Sequence, residues 1–118
     1  KYHLRHSSNW LIRLGDGTKE SNIKAQEALD FLWQYTGELF EMDEIDNKIL
    51  NSGIGVDNKK LKAKWNEIIN STIKKAKLNR PEDSYMATGS KKGIHTEHLG
   101  FLLAEMQFLP RAYPDAKW

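Results

Sequence analysis

Apolar residues in this chain recur at three- and four-residue spacings in five separate stretches, and no strand pattern survives beside them. That period brings side chains together on one face of an α-helix and scatters them across a strand. The fold is therefore read as all-α. Turn signals divide the five stretches, and short links between helices make sequential neighbours antiparallel, so the expected architecture is a helical bundle or part of one.

The first predicted helix runs from Lys1 to about Leu14 and stops at Gly15-Asp16-Gly17, with Gly15 in the left-handed position that ends helices. On its wheel His3, Ser7, Trp10 and Leu14 share a face, with Leu4 and Leu11 on one flank and His6 and Arg13 on the other. The second runs from Thr18, as N-cap, to about Met42. Ala25, Ala28, Leu29, Leu32, Thr36 and Leu39 form its stripe, and Phe31, Trp33, Tyr35 and Phe40 widen it around most of the cylinder. A third, short helix covers Asp43 to about Leu50. The fourth has Asp57 as N-cap and fades near Leu78, ahead of Pro81, with Leu61, Trp65, Ile68, Ile69, Ile73 and Ala76 as its stripe. Residues 79–93 form a long polar connection, a length uncommon unless the segment is functional or packed on something. The fifth helix is predicted from His95 to just before Pro110, and a tail with Tyr113 and Trp118 follows.

The 118 residues suffice for one helical domain with a modest core, so residues 1–118 are read as a single domain. The chain starts with Lys1 inside an amphipathic helix that has no cap. The expectation is a C-terminal fragment of a longer subunit, with part of its core elsewhere. No cysteine is present, which excludes disulfide scaffolds, zinc ribbons and thiol nucleophiles and fits a cytoplasmic setting. No apolar run reaches the ~20 residues of a membrane span, and no signal peptide is visible. Net charge is +2, and the lysines of KKLKAK (59–64) and IKKAK (73–77) lie on the polar side of one helix. They lack the interleaved arginines and aromatics of a nucleic-acid face, so no nucleic-acid partner is expected.

Chemistry concentrates in His95, Glu97, His98 and Glu105. On a continuous helix His95 leads the stripe Leu99, Leu102, Leu103 and Met106, while His98 and Glu105 share a flank. Glu97 points away, near Gly100 and Ala104, whose spacing permits close approach by another helix. His3 and His6 repeat the spacing of His95 and His98, so one alternative is a metal site built from all four. The other is two sets of packing histidines, hydrogen-bonded to carboxylates such as Glu105 or to the first helix. A di-iron bundle needs Glu-x-x-His on two helices, and no glutamate of the chain is followed three places on by His. Neither Ser7-Ser8 nor Ser90 sits in a nucleophile elbow. GDGTKES reads as a helix–helix turn rather than a phosphate loop. Glu38 and Glu41 read as a solvated helix terminus.

Three stretches, YHLRHSSNWLIRLGDGT (2–18), ALDFLWQYTGELFE (28–41) and GSKKGIHTEHLGFLLAEMQFLPRAYPDAKW (89–118), together resemble the C-subunit family of bacterial phenylacetyl-CoA epoxidases, across the C-terminal half of its members. The resemblance implies a ferritin-like helical bundle. It implies that a related A subunit holds the di-iron centre and epoxidises the ring of phenylacetyl-CoA. A reductase subunit with flavin and iron–sulfur groups supplies electrons from NADPH. The C subunit is then a non-catalytic scaffold with no cofactor or metal of its own, pairing with the A subunit in aerobic phenylacetate degradation. Anchors for that pairing, or for the internal core, are sought among Trp10, Trp33, Tyr35, Phe40, Trp65, Phe101, Phe108 and Trp118, since aromatics carry a large share of interface energy. The apolar surface of the second helix further predicts self-association of this chain. A generic helical interaction module is the remaining alternative.

Overall fold

The computed structural model describes residues 1–117, and these are all-helical, with no strand among them. Six α-helices follow in order: α1 Tyr2–Gly15, α2 Lys19–Trp33, α3 Glu44–Asn51, α4 Asn58–Lys75, α5 His98–Met106 and α6 Phe108–Ala112, with short 3-10 turns at Gly37–Phe40 and Ser90–Lys92. The contacts divide the chain into two compact units, Lys1–Thr88 and one beginning at Gly89.

In the first unit α1 packs on α2 and α4, and the Gly37–Phe40 turn packs on α4. The buried centre is Trp33, Ile73, Ala76 and Leu78, surrounded by half-buried Leu11, Ile12, Ala25, Leu29, Trp65, Ile69 and Met86. The ends of α1 and α4 meet the start of α2 at Gly15. The sequence placed Gly15 in the left-handed position after α1. It is instead the buried last residue of that helix, and Asp16 caps it at φ −93°. Glycine is needed there for contact rather than conformation. A Cβ on Gly15 would run into the carbonyl oxygen of Ala76 and stand 2.9 Å from the Ala76 Cβ. Asn22 stitches the junction, donating from Nδ2 to the carbonyls of Gly15 (2.6 Å) and Lys77 (3.3 Å). Lys77 Nζ pairs with Asp16 Oδ1 at 2.5 Å.

α4 ends at Lys75, three residues earlier than read, in a Schellman motif. Lys77 adopts φ 55°, its amide donates to the carbonyl of Lys74, and the amide of Leu78 donates to that of Ile73. Buried Leu78 thereby packs with Ile73 in the core.

The second helix is shorter than its apolar period indicated. It starts as expected, with Thr18 Oγ1 accepting from the Ser21 amide, but it stops at Trp33 rather than Met42. The amides of Tyr35 and Thr36 turn back three residues, and Thr36 Oγ1 donates to the Trp33 carbonyl at 2.7 Å. The Gly37–Phe40 turn follows, with Met86 against Gly37. A 3-10 turn keeps residues three apart on one side, so the apolar spacing runs on through the break. α3 opens with a capping box in which the Asp43 carboxylate accepts from the Ile45 and Asp46 amides and Asp46 Oδ2 accepts from the Asp43 amide. Asp57 caps α4 by accepting from the Lys59 amide.

Residues 79–88 are strapped along α2, which accounts for their length. Gln26 Nε2 donates to the Asn79 carbonyl and Gln26 Oε1 accepts from its amide. The Ala87 amide donates to the Gln34 carbonyl. Between them the Trp33 indole Nε1 donates to Asp83 Oδ1 at 3.0 Å, while Arg80 lies 4.8 Å over the same ring and donates to both Asp83 oxygens. The indole bond holds the Asp83 carboxyl below its ordinary range. Partial burial opposes this, and the Arg80 hydrogen bond and the charges of Arg80 and Lys62 reinforce it.

In the second unit the helix read from His95 to Pro110 is two helices. The pyrrolidine ring of a proline clashes with the carbonyl four residues earlier, here that of Met106, where α5 ends. Pro110 falls in the first turn of α6, where an amide needs no helical partner. At the other end His95 and Thr96 precede the helix, after a tight turn flanked by Gly89 and Gly93 at φ 104° and 82°. Trp118, expected to dock the tail, lies outside the described residues.

Two contacts of the first unit can be tested directly. Gly15→Ala should destabilise the chain by about 1–3 kcal/mol, because the methyl group meets backbone that cannot rotate away; an unchanged midpoint in denaturant unfolding would remove the argument. Asp83→Asn should cost about 1 kcal/mol at neutral pH, the scale of one hydrogen bond. Because the folded carboxyl titrates below the unfolded one, its contribution is present above about pH 4 and disappears as pH falls through the lowered value. The acid limb of the parent's stability profile should therefore be shallower in the variant; parallel profiles would contradict this.

Candidate interaction surface

The aromatic anchors sort into different surroundings. Trp33 is core, 4% exposed. Trp65 is half-buried beside it, ring centroids 5.8 Å apart, and Phe40 meets Trp65 edge-on at 5.3 Å. These three form one cluster whose outer side is reached by Lys62, 5.9 Å from the Phe40 ring. Tyr35 is exposed and touches Phe31 edge-on.

Trp10 is different. It is 49% exposed, on the face of α1 turned away from the core. The buried side of α1 carries Leu11, Ile12 and Gly15. The rings of Tyr2, His6 and Trp10 therefore line up along the outer face, Tyr2 stacked on His6 at 5.8 Å and His6 meeting Trp10 edge-on at 6.4 Å, and the Arg13 guanidinium lies 5.5 Å over Trp10. The wheel placed Trp10 with His3, Ser7 and Leu14 and put His6 and Arg13 on a flank. The i, i+4 ring spacing of 2, 6 and 10 was the signal for this strip. A shallow cleft beside it is lined by Tyr2, Arg5, His6, Asn9, Trp10 and Arg13, with Ile12 beneath.

The second unit presents apolar side chains with little to cover them. Phe101 is 73% exposed and Phe108 67%, and Leu102, Met106, Leu109 and Tyr113 are also exposed. His95, Glu97, His98 and Glu105 are all exposed. Since His95 lies outside α5, it does not head the helix stripe, and Glu97 is the N-cap without a side-chain cap bond. Within this unit no hydrogen bond joins His95 or His98 to Glu105, so the register-fixing bonds expected of them are not a property of the unit by itself. A Cβ on Gly100 would meet no neighbour.

Among the described residues no three His, Asp or Glu side chains gather within either unit where they could hold one ion. No helix among them is long and apolar enough to cross a membrane. What the geometry offers is contact surface: a cation-tipped aromatic strip on α1 and an apolar, nearly uncharged helix in α5.

The model of the family described as "Phenylacetic acid catabolic protein" matches residues 1–118. The chain is 49% identical over 118 residues to the C subunit of 1,2-phenylacetyl-CoA epoxidase from Escherichia coli (strain K12), an alignment covering 100% of this chain and 48% of that protein. The chain thus spans about half the length of this relative. With every residue inside the match, the chain belongs to the phenylacetic acid catabolic protein family.

Proposed function

We propose that this chain is part of a non-catalytic subunit of a phenylacetyl-CoA epoxidase, supporting a separate di-iron subunit by helical contact. The observation that carries this reading is the 49% identity, over the whole of the chain, to a protein named as the C subunit of that enzyme. The sequence supports it further, because no Glu-x-x-His pair is available to bridge two irons. The exposed side chains of α5 and α1 support it from the structure, since a helix apolar on several sides gains stability only when another surface covers it. In this role the chain binds neither iron nor NADPH. It contributes shape and contact area to the neighbour that performs ring oxidation, in the cytoplasm, and the reductase supplies electrons to that neighbour.

His95, Glu97, His98 and Glu105 then act at the contact, not in the isolated chain. They are exposed polar groups bordering exposed Phe101 and Leu102, the polar rim beside an apolar centre that interfaces show. The same exposed surface leads the chain, expressed without a partner, to associate with itself.

The test is co-expression of the full-length protein with the di-iron subunit. The two should co-purify, iron should follow the partner, and ring oxidation should require both. Stoichiometric iron in this chain alone, or oxidation by it unaided, would overturn the reading. His98→Ala should leave the melting temperature of the isolated chain within a degree or two and weaken co-purification. A large drop in melting temperature with assembly intact would show instead that His98 serves the chain's own fold.

A further inference from the structure

The exposed strip of α1 has a symmetry in its sequence. Six of the seven residues lining its cleft, Tyr2, Arg5, His6, Asn9, Trp10 and Arg13, all but the underlying Ile12, fall into pairs whose numbers add to fifteen: Tyr2 with Arg13, Arg5 with Trp10, His6 with Asn9. In an antiparallel pair of identical helices related by a two-fold axis, those are the residues that come opposite one another. Each permanent cation of the strip would thus face an aromatic ring of the other copy, and the polar pair would lie near the axis. A parallel pairing would set Arg5 against Arg5 and Arg13 against Arg13.

Three observations favour this occupant. The strip carries no carboxylate, and neither does the rest of α1, so its cations have no ionic partner on their own helix and rings are the complementary surface at hand. Tyr2 already stacks on His6, His6 meets Trp10 edge-on and Arg13 lies over Trp10, contacts that limit the side-chain freedom left to lose on docking. The cleft is shallow and has one helix for its wall and floor, a shape that suits another helix rather than a small molecule.

We propose that two copies of this chain pair through α1, antiparallel about a two-fold axis, with Arg13 of one copy over Tyr2 of the other and Arg5 over Trp10. This rests on the self-association proposed above and names the face responsible for it. Arg13 then lies between its own Trp10 and the second copy's Tyr2.

The absence of cysteine makes the test direct. Sedimentation velocity of the 118-residue chain, from micromolar to several hundred micromolar, should show a concentration-dependent two-copy species. Asn9→Cys, near the axis, should cross-link to a dimer with a short bis-maleimide. Glu27→Cys, exposed on α2, should not. Trp10→Arg should weaken pairing at least tenfold by placing two guanidiniums face to face, and adding Arg5→Trp should restore it, while circular dichroism reports that both variants keep their helices. A monomer at every concentration overturns both self-association and the pairing. A dimer that Asn9→Cys does not trap, or that Trp10→Arg leaves unchanged, overturns the α1 pairing alone and leaves self-association standing on another face.

Discussion

The first unit is organised around a contact that admits no side chain. Gly15 brings the end of α1 against the backbone of Ala76 at the end of α4, and the start of α2 is tied to both through Asn22. Two helix ends meeting at backbone distance, with the third tied to them by the Asn22 side chain, fix where the three helices can go. The Schellman turn at Lys77 turns the chain back and delivers Leu78 to the centre. Left-handed backbone at a residue with a Cβ carries strain of order 1 kcal/mol. The Lys77–Asp16 pair and the Asn22 bond to the Lys77 carbonyl hold it in place.

From that junction the core runs along one side of α2 to Trp33, and there a second set of constraints begins. Trp33 buries its ring but keeps its indole N–H turned to the strap, where Asp83 accepts and Arg80 covers the outer face. A buried indole without an acceptor would cost the desolvation of its N–H, about 1–3 kcal/mol. The strap satisfies that group and in turn has its own backbone satisfied by Gln26 and Gln34. A polar connection and an aromatic core residue thereby stabilise each other.

The fully buried set in this unit is small, and the exposed apolar set is large. These helices carry more apolar surface than they bury among themselves. Aromatic residues that look alike in the sequence consequently divide by surroundings: Trp33 and Trp65 pack in the core, while Trp10, Phe101 and Phe108 remain on the surface.

Much of this was legible in the residues. The all-α class, the starts of α2, α3 and α4, and the capping roles of Thr18 and Asp57 follow from local rules, because period and caps are properties of neighbours in the chain. The family was legible as well, from motifs spanning both ends. The end of α2 was not, since a 3-10 turn preserves the apolar spacing that α-helix and turn share. The division of α5 from α6 could have been read from Pro110 by counting back four residues. What only the tertiary structure decided was which side of each helix is inside. Gly15 serves contact and not a turn because α4 arrives there, Trp33 is core because the strap supplies its acceptor, and Trp10 is surface because α2 and α4 occupy the other side of α1. Those are relations between residues distant in sequence, and no local pattern encodes them.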